Sequence, residues 1–106
     1  MRGLADAVWT GGRTELDFPA ALAWLHSRWQ VRRLACEGGA ELNAALFRQR
    51  LVDELHLTLC PKIFGGRHAP TIAEGPGTPN LAAAAGFQIK SLRRVGAELF
   101  AMFTAA

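Results

Sequence analysis

No stretch of this chain stays apolar for anything near the ~20 residues a helix needs to cross a bilayer, and only two cysteines occur among its 106 residues. The first absence argues against a membrane partner. The second argues against a disulfide framework. With no Cys-x-x-Cys pair and three histidines far apart in sequence, it also argues against a metal centre. No signal peptide is expected either, because Arg2 is followed four residues on by Asp6 with no long apolar segment, and a cytoplasmic protein is expected. Basic residues outnumber acidic ones twelve to nine. The arginines are nevertheless scattered, from Arg28, Arg32 and Arg33 to Arg93 and Arg94, without the interleaved aromatics of a nucleic-acid surface. Neither Ser27 nor Ser91 has a legible base beside it, which argues against hydrolase chemistry.

What is present fits one soluble α/β domain over residues 1–106. Half of the residues are hydrophobic and 20% are charged, and a chain of this size buries roughly 65% of its unfolded surface, enough for a core without staples. Ala7-Val8-Trp9-Thr10 is read as a first strand ending at Gly11-Gly12. Asp17 and Pro19 mark a helix start, since aspartate caps free N–H groups and proline fits a first turn. Leu22, Leu25 and Trp29 follow at helical spacing, which predicts a helix to about Gln30. Arg33 to Glu37 is read as a buried strand that takes in Cys36. A helix over Ala40 to Arg50 buries Leu42, Ala45 and Leu46.

Leu55, Leu57 and Leu59 alternate with Glu54, His56 and Thr58, a period of two that predicts a strand over Glu54 to Cys60, with Cys60 as a second buried cysteine. Strands separated by helices favour a parallel sheet with right-handed crossovers. Pro61 to Asn80 has no periodicity and many prolines and glycines, as functional or mobile loops do. Phe87 to Arg94 and Glu98 to Thr104 flank Val95-Gly96-Ala97, which predicts an antiparallel hairpin.

The stretch from Leu34 to Leu46 carries the strongest functional signal. An apolar segment meets Gly38-Gly39, and a helix opens at about Ala40. Successive glycines let backbone approach a ligand closely, and a helix start aims N–H groups and a positive dipole end at it. A nucleotide pyrophosphate corner and a plain tight turn both fit this pattern, and the full G-x-G-x-x-G fingerprint is absent. Glu37, at the end of its segment, is placed either to face a ligand or to bond the N–H groups of its own turn. Ala40 and Glu41 would lend first-turn N–H groups, with the Glu41 side chain turned away. Gly11-Gly12-Arg13-Thr14 reads first as a turn with a solvated arginine. Its alternative is an arginine and a hydroxyl that hold an extra phosphate.

Glu37 to Leu42 spells Glu-Gly-Gly-x-x-Leu, Val52 to Leu55 spells Val-Asp-Glu-Leu, and Pro61 is followed by Gly65-Gly66. In order and spacing these three motifs resemble the reductase domain of riboflavin biosynthesis, a family usually fused behind a deaminase domain. The looser similarity runs from about Ala7 to Phe103. The resemblance implies a dihydrofolate reductase-like fold and an NADPH-dependent reductase that converts the ribosyl group of a phosphoribosylamino-pyrimidine to a ribityl chain. It also implies backbone contact from Gly38 and Gly39 to the cofactor diphosphate, to which Ala40 would lend an N–H; from their positions, Glu37 is the candidate catalytic residue and Gly12 and Arg13 are candidate cofactor contacts. Such a domain is about twice as long as this chain, which is similar to its second half. The expected architecture is therefore a half-domain with a mainly parallel sheet, flanking helices and a C-terminal hairpin, forming a homodimer. A non-catalytic half-domain serving as a nucleotide-binding or oligomerisation module is the alternative.

Overall fold

The computed structural model describes residues 2–106 and divides into two compact units, Met1–Cys36 and Glu37–Ala106. Each is described by itself.

In the first unit, a 3-10 turn over Arg2–Leu4 precedes helix α1, Phe18–Trp29. The start of α1 follows its sequence: the Asp17 carboxylate accepts a hydrogen bond from the Ala20 N–H at 3.0 Å, and proline occupies the first turn. Its end is a left-handed residue, Gln30 at φ 57°, whose N–H bonds the His26 carbonyl at 2.8 Å and satisfies one of the last open acceptors. The three tryptophans stack along this unit. Trp9 and Trp24 lie 6.4 Å apart, and Trp24 meets Trp29 edge-on at 4.9 Å, the tilted geometry that ring quadrupoles favour.

The second unit holds helix α2, Ala40–Arg48, and strands β1, Glu54–Leu59, β2, Phe87–Val95, and β3, Glu98–Ala105. A further 3-10 turn covers Leu81–Ala83 and is capped by the Asn80 side chain. Helix α2 ends in a Schellman turn, with Arg50 left-handed at φ 55° and the N–H groups of Arg50 and Leu51 bonded to the carbonyls of Phe47 and Leu46, which closes the chain back on itself. The hairpin of β2 and β3 turns at Gly96, φ 61°, where a left-handed conformation costs glycine nothing.

Sheet order is β1-β3-β2 and both pairings are antiparallel. The hairpin and β1 thus stand where the sequence placed them, whereas the mainly parallel sheet is corrected. Parallel pairing needs a second strand brought alongside by a crossover. Neither Ala7–Thr10 nor Arg33–Glu37 is a strand, so β1 takes β3 as its neighbour instead. For the same reason Cys36 is exposed rather than buried in a strand, and Cys60, just past β1, is exposed too.

Directly paired residues share a face. Leu55 pairs with Phe103, Leu57 with Ala101 and Leu59 with Leu99, while Ile89 and Leu92 of β2 oppose Phe103 and Ala101. One face of the sheet is therefore mostly apolar, interrupted at the β2 edge by Arg94 opposite Leu99. Helix α2 reaches the sheet at one end, where Phe47 meets Phe87 edge-on at 5.8 Å. No described residue is fully buried, and the best covered side chains, among them Leu42, Leu46, Leu55 and Phe103, are half-buried. No helix among the described residues is long and apolar enough to cross a membrane.

Candidate functional site

The corner at the start of α2 brings Glu37, Gly38, Gly39 and Ala40 together. Gly38 sits at φ +89°, which L side chains rarely adopt, and the Gly38–Gly39 peptide is cis. Gly39 is the N-cap residue at φ −74° and ψ −167°, with no side chain to cap the helix. Its carbonyl accepts the Asn43 N–H at 3.0 Å, so the N–H groups of Ala40, Glu41 and Leu42 precede the first helical bond. A Cβ built on Gly39 would meet nothing within 4 Å. Open space beside a helix N-terminus that has no side-chain cap suits the diphosphate of a dinucleotide, because the ligand's oxygens would supply the missing acceptors.

The segment 71–75 was not singled out by its sequence, yet it forms the wall of this corner. The Asn43 amide donates to the Ile72 carbonyl at 2.9 Å, and the Glu74 N–H donates to the Ala40 carbonyl at 3.1 Å. Within the segment the Glu74 carboxylate accepts from the Thr71 N–H at 3.3 Å, and the Thr71 hydroxyl donates to the Ala73 carbonyl at 2.8 Å. A Cβ on Gly38 would lie 3.1 Å from Asn43 Nδ2, so Asn43 holds the glycine on one side and the loop on the other. Its signal in the sequence is slight: an asparagine inside a short helix, where its propensity is poor. Glu41 is exposed. Its Oε2 lies 3.4 Å from where a Gly75 Cβ would stand, so its charge is directed to the loop.

Gly12 and Arg13 belong to the first unit. Gly12, at φ +92°, is shaped by its own neighbours, since a Cβ there would collide with the Glu15 carbonyl oxygen. The Asp17 N–H closes this turn on the Gly11 carbonyl at 3.5 Å. Arg13 and Thr14 are exposed. Of the two readings of this segment, the geometry gives the turn a physical cause.

Two other polar groupings lie on the sheet. Glu54 bonds His56 Nε2 at 3.2 Å and Lys90 Nζ at 3.3 Å, and these bonds hold its carboxyl below the ordinary value, the one from His56 foremost. The Cys60 thiol donates to Glu98 Oε1 at 3.2 Å, and that hydrogen bond pushes its pKa up, the opposite of an activated nucleophile. Among the described residues no group of three His, Cys, Asp or Glu could hold a metal ion. A recess of about 130 Å³ between Phe47, Val52, Phe87 and Ala105 is smaller than the ~300 Å³ at which small-molecule sites begin.

Known proteins are similar to this chain in sequence and fold. The chain is 34% identical over 104 residues to the 2,5-diamino-6-ribosylamino-4(3H)-pyrimidinone 5′-phosphate reductase of Methanothermobacter thermautotrophicus, covering 98% of this chain and 47% of that protein. To the reductase of the same name from Aquifex aeolicus it is 36% identical over 81 residues, 76% of this chain and 36% of the relative. It thus spans under half the length of these curated relatives. Among solved structures, RibD of Acinetobacter baumannii superposes with a TM-score of 0.73 at 18% identity, over 82% of this chain and 24% of that one. A pyrimidine reductase-like protein of Corynebacterium diphtheriae superposes at 0.69 and 18% identity, over 88% and 36%. Both show a shared α/β fold. The model of the RibD C-terminal domain matches residues 2–101, and the chain belongs to that family.

Proposed function

We propose that this chain is half of an NADPH-dependent reductase of riboflavin biosynthesis, acting on a ribosylamino-pyrimidinone 5′-phosphate of the kind named for its relatives. The observation that carries this reading is the open Gly39 at the head of α2, in a chain of this family. Gly38, Gly39 and Ala40 hold the cofactor's diphosphate by backbone contact. Glu37, exposed beside them, faces the reacting groups as the catalytic residue. NADPH, when bound, would supply the hydride for the sugar carbon, with the accompanying proton taken from solvent, and the protein would position one against the other. The completed fold is dihydrofolate reductase-like, with the parallel strands that this half lacks. The working protein is a cytoplasmic homodimer, whose contact includes the hairpin residues Phe100 and Met102.

The non-catalytic alternative is favoured, for this chain in isolation, by the lack of any fully buried residue among the described residues. Alone it therefore turns over little or no substrate, because imprecise positioning costs powers of ten in rate. The test is NADPH oxidation with the pyrimidine substrate, by this chain and by the chain combined with the remainder of a relative's reductase. Turnover only in the combination is expected. Robust turnover by the chain alone would contradict the half-site reading. An NADPH fluorescence titration checks the corner separately: Gly38→Val weakens binding in the combination, and unchanged affinity removes the diphosphate role.

A further inference from the structure

We infer that Asn43 is a positioning residue for the cofactor corner: its side-chain amide locks segment 71–75 beside Gly38-Gly39, and the grip of the corner on a diphosphate depends on that lock. The inference rests on the diphosphate reading given above and adds to it a residue that acts through the loop rather than on the ligand. The Asn43 N–H is committed to α2 by its bond to the Gly39 carbonyl at 3.0 Å, which leaves the side chain to reach outward. Its Nδ2 donates to the Ile72 carbonyl at 2.9 Å. The same nitrogen lies 3.1 Å from where a Gly38 Cβ would stand, so the space that glycine leaves at position 38 is the space the amide uses. One side chain thus touches both the glycine turn and the loop.

Segment 71–75 has a shape of its own. The Thr71 hydroxyl bonds the Ala73 carbonyl and the Glu74 carboxylate accepts the Thr71 N–H, which folds these residues into a tight turn. Against α2 the turn is held by the Asn43 bond and by the Glu74 N–H on the Ala40 carbonyl at 3.1 Å. Gly75, at φ +91°, closes onto the helix, where a Cβ would lie 3.6 Å from that of Ala44. On either side, 61–70 and 76–80 form neither helix nor strand, so the flanking chain does little to hold the turn in place. Both attachments fall at the head of α2, beside the N–H groups of Ala40, Glu41 and Leu42 that precede the first helical bond. A ligand that enters a corner with a fixed wall binds without ordering the wall. Where the wall is loose, its ordering is subtracted from the affinity.

The test compares the wild type with Asn43→Leu, which keeps the approximate shape of the side chain, has the better helix propensity and lacks the donor. Both are titrated, in the assembly used for the NADPH titration above, with NADPH and with reduced nicotinamide riboside, which carries the reacting ring and no phosphate. NADPH binding by Asn43→Leu should be about fivefold to tenfold weaker, the worth of one hydrogen bond, while the riboside binds within about twofold of the wild type. Thr71→Val, which loosens the turn from within, should weaken NADPH binding in the wild-type background and have less than about a twofold effect once Asn43 is replaced, because the two act through one element. Equal NADPH affinity in the wild type and Asn43→Leu would overturn this inference alone. Equal loss for both ligands would mean that Asn43 supports the fold at large, and a Thr71→Val effect of the same size in both backgrounds would mean that it does not act through the segment; either result overturns the inference. No NADPH binding by the wild type would overturn the diphosphate reading and this inference with it.

Discussion

The two double-glycine turns, Gly11-Gly12 and Gly38-Gly39, read alike in sequence and differ in what surrounds them. At the first, a Cβ on Gly11 would run into the Trp9 ring and one on Gly12 into the Glu15 carbonyl, so the chain itself fills the space that glycine leaves. At the second, Asn43 closes the side of Gly38, while Gly39 faces open space at the head of a helix. The difference teaches that a missing Cβ marks a ligand site only where no part of the protein has taken its place. The first turn is needed for folding. The second is available for binding.

Gly12→Val should have the largest effect on folding, because it combines a left-handed φ with a backbone collision. A loss of about 3 kcal/mol is expected for the first unit. Trp9, Trp24 and Trp29 all lie in that unit, so the midpoint of urea unfolding followed by tryptophan fluorescence reads it. An unchanged midpoint would remove the contrast between the turns. Asn43→Ala comes next. It forfeits the bond to the Ile72 carbonyl and should cost about 1–2 kcal/mol, with faster amide exchange over residues 71–74. Exchange there at the wild-type rate would show that the loop does not depend on Asn43.

Much of this fold was legible because its cues are local. Asp17 and Pro19 start α1 where expected, the alternating leucines place β1, and Gly96 places the hairpin. The misread parts depend on partners. Arg33–Glu37 has the composition of a strand, but composition alone does not make one, and the segment is not a strand; Cys36 within it is exposed. At the site, Gly38 and Gly39 were visible as a motif, whereas the loop wall was not, because it is built by contacts between Asn43 and Ile72, 29 residues apart in the chain.

The smaller effects test the polar groups of the sheet. Hydrogen bonds from His56 and Lys90 hold the Glu54 carboxyl below the ordinary 4.5. Its contribution to stability is thus fully present above that value and is lost as pH falls through the lowered one. Acid unfolding of Glu54→Gln should show a shallower dependence on pH below 4.5, and an identical profile would mean that the exposed bonds contribute nothing. Glu98→Gln removes the charged acceptor that holds the Cys60 proton. Cys60 alkylation by iodoacetamide at mildly alkaline pH should then become faster, and an equal rate would contradict the bond.

Gly39→Asp separates an open position kept for a ligand from one kept for the fold. Backbone at φ −74° and ψ −167° is accessible to any residue. A Cβ there meets nothing within 4 Å, and aspartate is a good N-cap, so stability should be unchanged or higher by a few tenths of a kcal/mol. The same carboxylate would occupy and repel the cofactor's diphosphate. NADPH affinity, measured by fluorescence titration of the chain assembled with the remaining half of the reductase, should therefore fall by about tenfold or more, roughly 1.4 kcal/mol. Equal affinity in the two proteins, or no NADPH binding by the unmutated assembly, would contradict the assignment of this corner.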